Sequence, residues 1–257
     1  MVCALLRRGG LGRNYFLISM IYFVSDVHLG LKDGDVKERE ERFTAWLKSI
    51  EKPETEALYL LGDIWDFWYE YRDVIPNEGV RVIAAIVRLL DAGVKVYYVP
   101  GNHDVWLYSF WQKFGVEVVK QPIRVELKGK RFLLGHGDGL GGADFSYRLI
   151  NWIFHNRVCQ VLFSTLHPWL AYRFGTNWSN SNRRKHSSYK FRGADEPLYK
   201  FCVEQTSAVP ADYCIFGHFH DAVDMPLPTG ARLIILKDWI DGGEHYASWD
   251  GSTLSVY

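Results

Sequence analysis

Short apolar runs that end in small polar clusters recur along the opening part of the chain. Ile21 to Ser25 runs into Asp26-Val27-His28-Leu29-Gly30, Ala57 to Leu61 into Gly62-Asp63, and Val94 to Val99 into Pro100-Gly101-Asn102-His103-Asp104. An apolar run of this length closed by Gly, Asp or Asn reads as a buried strand entering a loop. Between the runs the period changes. Phe43, Trp46, Leu47 and Ile50 fall on one face of a polar helix, and Val80 to Leu90 repeats helical spacing until Asp91-Ala92-Gly93 supplies a stop. Strand, loop and helix in alternation predict a parallel sheet with covering helices.

The second half has a different rhythm. Val116 to Val119, Ile123 to Leu127 and Arg131 to Leu134 are short strands with tight turns, Lys128-Gly129-Lys130 among them, and the last enters Gly135-His136-Gly137-Asp138-Gly139. From Phe145 to Phe163 the polar Arg148, Asn151, His155 and Asn156 share one helical face beside Phe145, Leu149, Trp152 and Ile153. Strands return at Tyr213 to Phe216, which runs into Gly217-His218-Phe219-His220, and at Ala222 to Met225, Ala231 to Leu236, His245 to Trp249 and Ser252 to Val256. Two stacked sheets flanked by helices are expected, an α/β class without internal repeats.

Composition narrows the function classes. The 257 residues are 48% hydrophobic and 23% charged, a globular composition rather than a disordered or fibrous one. Thirty basic residues balance thirty acidic ones, which argues against a globally basic nucleic-acid binder while leaving a local basic patch open, and no nucleic-acid partner is expected. Cys3, Cys159, Cys202 and Cys214 show no C-x-x-C spacing, which leaves reduced thiols as the expectation. No stretch approaches the ~18 apolar residues of a spanning helix. Near the N-terminus the apolar run Val2 to Leu6 precedes Arg7, Arg8 and Arg13, the wrong order for a signal peptide. Because Met20 stands directly before the first strand, residues 1–19 read as an extension outside the native start and 20–257 as the domain.

Charge is unevenly spread. Residues 145–192 hold eight cations (Arg148, Arg157, Arg173, Arg183, Arg184, Lys185, Lys190, Arg192), eleven aromatics and no carboxylate, leaving the remainder 22 basic against 30 acidic residues. A basic, aromatic, amphipathic insertion suits an anionic lipid surface or substrate phosphates; a solvated helical subdomain is the plainer alternative.

Chemistry gathers at the strand ends. Asp26, His28, Asp63, Asn102, His103, His136, His218 and His220 each follow an apolar run. In α/β sheets, ligands bind beyond the carboxyl ends of strands, so loops on one edge bring such residues together. Carboxylates, imidazoles and one amide, with no thiolate, suit manganese, iron or zinc. Seven of these eight as ligands exceed one ion's needs and match two ions sharing a carboxylate, a pair that can clamp a phosphate and activate water. Gly137, Gly139 and Gly142 also satisfy G-x-G-x-x-G, but no acidic residue follows in 145–192 as a dinucleotide fold requires.

In this order, Asp26-x-His28, Gly62-Asp63, Gly101-Asn102-His103-Asp104, His136 and Gly217-His218-x-His220 resemble the calcineurin-like metallophosphoesterase superfamily. The resemblance implies a four-layer α/β/β/α sandwich of two mixed sheets. It also implies a first metal held by Asp26, His28, Asp63 and His220, and a second held by Asp63, Asn102, His136 and His218. Asp63 bridges, and His103 contacts the scissile phosphate or leaving group. More narrowly, Leu61-Gly-Asp-Ile-Trp-Asp-Phe-Trp68, His136-Gly-Asp-Gly-Leu140, the basic insertion and Ile235-Leu-Lys-Asp-Trp239 look like the UDP-2,3-diacylglucosamine hydrolase family of Gram-negative lipid A biosynthesis.

That narrower likeness implies two divalent ions, usually manganese, and cleavage of a nucleotide-linked glycolipid to UMP and 2,3-diacylglucosamine 1-phosphate. It implies a helical cap at about 145–192 for the acyl chains, with substrate contacts at Asn102, His103, Asp144, Asn180, Ser181, Arg183 and His218. The expected location is cytoplasmic, peripheral on the inner membrane, with no obligate protein partner. Some members carry Arg where this chain has His103, while the wider superfamily has His. A metallophosphoesterase for another phosphodiester or phosphomonoester, and a non-catalytic scaffold of the same fold, are the competing readings.

Overall fold

The computed structural model describes residues 19–142, 145–186 and 190–257, and of residues 180–186 the helical backbone alone. The expected extension lies outside the described residues apart from Ser19.

Among the described residues, eleven strands form two mixed sheets. The first holds β1 (Met20–Val24), β2 (Thr55–Leu60), β3 (Lys95–Tyr98) and β4 (Glu117–Val118) in parallel, with β10 (Ala247–Trp249) and β11 (Leu254–Val256) added beyond β1 in the order β11-β10-β1-β2-β3-β4. The second holds β5 (Ile123–Leu127), β6 (Lys130–Leu134), β7 (Tyr213–Phe216), β8 (Val223–Pro226) and β9 (Arg232–Ile235) in the order β5-β6-β7-β9-β8. Its strands β6, β7 and β9 are parallel. The run Val116 to Val119 therefore pairs with β3 on the edge of the first sheet, apart from the β5–β6 hairpin that follows it.

Side-chain alternation decides the layers, because successive residues of a strand point to opposite faces. Ile21, Phe23, Ala57 and Tyr59 meet Phe132, Leu134, Ile215 and Ile234 between the sheets. Their neighbours Val24, Leu58, Leu60 and Val96 face outward onto α1 (Val36–Ser49) and α2 (Val80–Asp91), through Phe43, Trp46, Leu47, Ile86 and Leu89. On the far side Leu133, Cys214, Phe216 and Leu233 pack under Leu198 and Cys202 of a helix at Pro197–Ala208. Helices, sheet, sheet, helix make the four layers that the motif order implied. Asp35 starts α1 by accepting Lys37 N and Glu38 N, both at 3.0 Å.

Between β6 and that last helix lie α3 (Phe145–His155), α4 (Arg157–Ser164) and α5 (Pro168–His186), which makes the Pro197–Ala208 helix α6. The amphipathic stretch Phe145 to Phe163 is thus two helices. Asn156 breaks it: its side chain accepts Val158 N at 2.9 Å and Cys159 N at 3.2 Å, capping α4 where α3 ends. Neither α3 nor α4 has a buried residue. Among the described residues no helix is long and apolar enough to cross a membrane.

Candidate metal centre

The parallel strands of both sheets deliver their carboxyl ends to one edge. Loops after β1, β2, β3, β6 and β7 carry Asp26 and His28, Asp63, Asn102 and His103, His136, and His218 and His220 in turn. Main-chain bonds lock the loops to each other. His218 N donates to Asp26 Oδ2 at 2.9 Å, and His103 N to Asp63 Oδ1 at 2.9 Å. The approach is close enough to require glycine. A Cβ on Gly101 would stand 2.2 Å from Asp63 Oδ1, and one on Gly217 would stand 2.1 Å from Asp26 Oδ2. Asp26, His28, Asp63, His218 and His220 all take left-handed backbone angles, with φ between 50° and 73°. Each such residue costs about 1–3 kcal/mol, strain that persists where a site over-determines it.

The side chains converge. His136 Nε2 lies 3.2 Å from Asp63 Oδ2, and His28 Nε2 lies 3.9 Å from the same oxygen and 3.7 Å from Asp26 Oδ1. His220 Nε2 approaches Asp26 Oδ1 at 3.8 Å, and the His136 and His218 rings are 5.1 Å apart. Asp26, His28 and His220 form one donor group; Asp63, His136 and His218 form a second. Among the described residues, Asp26 Oδ1, Asn102 Oδ1 and His136 Nε2 are buried and find no hydrogen-bond partner. Orphaned donors and acceptors are costly in an interior. Three together, aimed into a space lined by carboxylates and imidazoles, are what cations would satisfy, so the residues fit two divalent ions. Asp26, His28, Asp63 and His136 form a buried floor; Asn102, His103, His218 and His220 are partly exposed above it.

The model of the family described as calcineurin-like phosphoesterase matches residues 19–222. The chain belongs to the calcineurin-like phosphoesterase family. Among curated relatives, the UDP-2,3-diacylglucosamine hydrolase of Porphyromonas gingivalis is 38% identical over 92% of this chain and 96% of its own length. That of Neisseria gonorrhoeae is 31% identical over 85% of this chain and 89% of its own.

In this phosphoesterase the outer ring nitrogens are committed, which frees the inner ones. His136 Nδ1 donates to Leu61 O at 3.0 Å, His220 Nδ1 to Asp238 Oδ2 at 2.9 Å, and His103 Nδ1 to Asp66 O at 2.9 Å; His28 Nδ1 faces Asp66 Oδ1 at 3.3 Å. Each neutral ring then presents the Nε2 lone pair to the centre, as ligating histidines require. His103 Nε2 is 3.9 Å from Asp63 Oδ2, which makes His28, Asp63 and His103 a third donor group.

Supporting residues had no assigned role in the sequence reading. Asp104 accepts Gly101 N at 2.7 Å, Asp63 N at 3.2 Å, Ile64 N at 2.8 Å and the Tyr98 hydroxyl, tying the loops after β2 and β3. Gln121 Oε1 accepts His136 N at 2.8 Å and Gly137 N at 2.9 Å, while its amide donates to Asp138. Asp66, Asp104 and Asp238 sat inside motifs already singled out, a usable signal; Gln121, in the turn after β4, offered none.

Electrostatics are those of a charged, dry site. Burial works against ionisation of Asp63, but His136, His103 and His28 outweigh it and hold its carboxyl well below the ordinary range. Asp26 is likewise lowered against its burial, chiefly by His28, His136 and His220. Asp63 and Asp26 overcome burial at His136 and raise it well above an ordinary histidine. Burial, then the His136 charge, lowers His218 to about 4, and burial lowers His103. Burial and the Asp63 charge raise Asp104 to about 6.

The three inserted helices rest on these loops. Trp106 Nε1 donates to Phe154 O at 3.0 Å, the Tyr69 hydroxyl to Gln160 O at 2.9 Å, and the Tyr172 hydroxyl to Tyr69 O at 2.8 Å; the Tyr147 hydroxyl bonds Asp138. Their other faces are open. Twelve of the 19 large apolar side chains exposed among the described residues lie between Phe145 and Trp178, Phe145 at 78% and Trp152 at 59%. Of the expected cap contacts, Asp144 lies outside the described residues. Asn180, Ser181 and Arg183 fall on α5, but their side chains lie outside the described ones.

Proposed function

We propose that this chain is a two-metal hydrolase that cleaves the pyrophosphate of UDP-2,3-diacylglucosamine to UMP and 2,3-diacylglucosamine 1-phosphate, in lipid A biosynthesis. One observation carries the reading. A phosphoesterase donor set and an exposed, greasy, cationic helical insertion sit on the same loops, in a chain 38% identical to a hydrolase of that name.

Asp26, His28, Asp63 and His220 would hold one cation, and Asp63, Asn102, His136 and His218 the other, with manganese as the resident ion. The bound cations supply Lewis acidity toward the phosphate oxygens and the attacking water. Asp26 and Asp63 supply the anionic charge that two dications require, because neighbouring imidazoles keep both ionised. His103 stands at the partly exposed mouth. With Nδ1 committed to Asp66 O, its Nε2 is the atom left to face a leaving oxygen, and it would donate there when the ring is protonated.

The apolar end of the substrate suits the insertion. A cavity of about 470 Å³ opens between α4 and the loop 69–74, lined by Tyr69, Tyr71, Val74, Tyr108 and Val161 among others, within the size range of small-molecule pockets. The open faces of α3 to α5 pair Phe145, Trp152 and Trp169 with Arg148, Arg157 and Arg173, which suits peripheral binding at the anionic inner face of the inner membrane.

The deciding experiment compares metal-dependent UMP release from UDP-2,3-diacylglucosamine and from its deacylated counterpart. Faster cleavage of the acylated substrate, strongest with manganese, is expected. Equal rates on both would remove the lipid from the reading, and cleavage of other phosphoesters only would replace it with a different member of the family.

A further inference from the structure

One contact between the inserted helices and the metal-binding loops ends on an oxygen shared with two imidazoles. Ser179 of α5 is 2% exposed and donates from Oγ to Asp66 Oδ1 at 2.8 Å. That same oxygen lies 3.3 Å from His28 Nδ1 and 3.8 Å from His103 Nδ1. Asp66 is also buried, so the hydroxyl of a cap residue helps define the environment of a carboxylate that water barely reaches.

α5 reaches this depth because Gly175, four residues earlier on the same face, lies against Phe67. A Cβ at Gly175 would stand 2.2 Å from the Phe67 ring. Trp106, Phe163 and Tyr172 pack round that ring and leave it little room to move. Consecutive residues of the loop after β2 therefore receive consecutive turns of α5: Phe67 takes Gly175, and Asp66 takes Ser179.

We infer that Ser179 is a positioning residue: through Asp66 it makes the orientation of His28 and His103 depend on how α5 is seated. The helix bundle that would receive the substrate is thereby coupled to the centre that would cleave it. Without the hydroxyl, a buried carboxylate oxygen loses a bond and its hold on both rings loosens. The inference rests on the metal-centre reading of these loops and not on the identity of the lipid.

The test uses full-length, metal-stripped protein as wild type, Ser179→Ala, Ser179→Thr and Gly175→Ala. Manganese affinity is read by calorimetry, turnover with bis(p-nitrophenyl) phosphate, a soluble diester with no acyl chain, and folding by melting temperature. Ser179→Ala is expected to weaken manganese binding about 10-fold and to lower kcat on the diester by a similar factor with KM little changed. Ser179→Thr, which keeps the hydroxyl, should recover most of both. Gly175→Ala, which lifts α5 off Phe67, should reproduce the Ser179→Ala signature; if it does not fold, the Ser179 pair alone decides. Manganese affinity and diester turnover within about two-fold of wild type in Ser179→Ala, or equal losses in the Ala and Thr variants, would overturn the inference. If the diester is not turned over, the metal titration decides. Failure to cleave the lipid substrate would sink the substrate reading and leave this comparison intact.

Discussion

The Nε2 of His136 and the Oδ2 of Asp63 meet at 3.2 Å with both side chains all but sealed from solvent. Neither residue explains the other. A carboxylate at the end of β2 and an imidazole at the end of β6 come from different sheets, and the contact closes the floor on which the remaining donors converge.

Asp63 is assigned to both proposed cation sites and lies in two of the three donor groups, so its loss should be felt twice. Asp63→Asn keeps the shape and removes the charge. Metal content by elemental analysis is expected to fall toward zero and turnover to drop by more than about 100-fold, beyond the usual cost of an outer partner. Retention of two equivalents of metal would show that Asp63 bridges nothing.

Metal should displace protons. His136 in the metal-free protein holds its proton well above the ordinary histidine range, while a ligating imidazole must be neutral. Manganese titrated at pH 7 in buffers of different ionisation enthalpy should release about one proton as the site holding His136 fills, and affinity there should rise with pH. Stability of the metal-free protein should show the matching sign. A folded-state value raised at His136 stabilises below the unfolded value near 6.5 and is lost as pH rises through the raised one. The melting temperature after chelation should therefore decline as pH rises above neutrality, and less so with metal restored; a flat profile would contradict the pairing.

His103 offers a leaving-group test. His103→Gln should lower kcat by about 100-fold to 10,000-fold on a substrate with a poor leaving group, and by much less on a nitrophenyl ester that needs no proton. Manganese affinity should change little. An equal loss on both substrates would place His103 among the ligands, as the His28, Asp63 and His103 grouping also allows.

Gly217 is a steric prediction. A methyl there would stand 2.1 Å from Asp26 Oδ2 and 2.3 Å from Ser25 Oγ, inside the loop that carries His218. Gly217→Ala should separate the Asp26 carboxylate from His218 N and reduce metal content, with far-UV circular dichroism unchanged. Full metal occupancy would show that the two loops can part without cost.

Between the sheets, Phe132 stacks on Phe23 at 5.6 Å and meets Trp249 edge-on at the same distance. Phe132→Ala should cost about 3–5 kcal/mol in urea unfolding, the usual range for a fully buried aromatic. A loss under about 1 kcal/mol would mean that this layer repacks freely.

Local pattern was enough for much of this protein. Runs such as Ile21 to Ser25 and Tyr213 to Phe216 announce strands because a buried strand must be apolar, and Asp26, Asp63, Asn102, His136, His218 and His220 announce a metal chemistry because each closes such a run. What the chain could not say locally was where separate segments meet. That Val116 to Val119 pairs with β3 and that Gln121 holds the His136 loop depend on partners elsewhere in the chain. The same is true of Asp66, which lay in plain view beside Trp65 and Phe67. Its contacts with His28 and His103 come from loops folded against it, and Ser179 of α5 reaches it from 113 residues later. Periodicity reports which face of an element is buried, but hydrogen bonds between loops are set by packing, and packing is a property of the assembled chain.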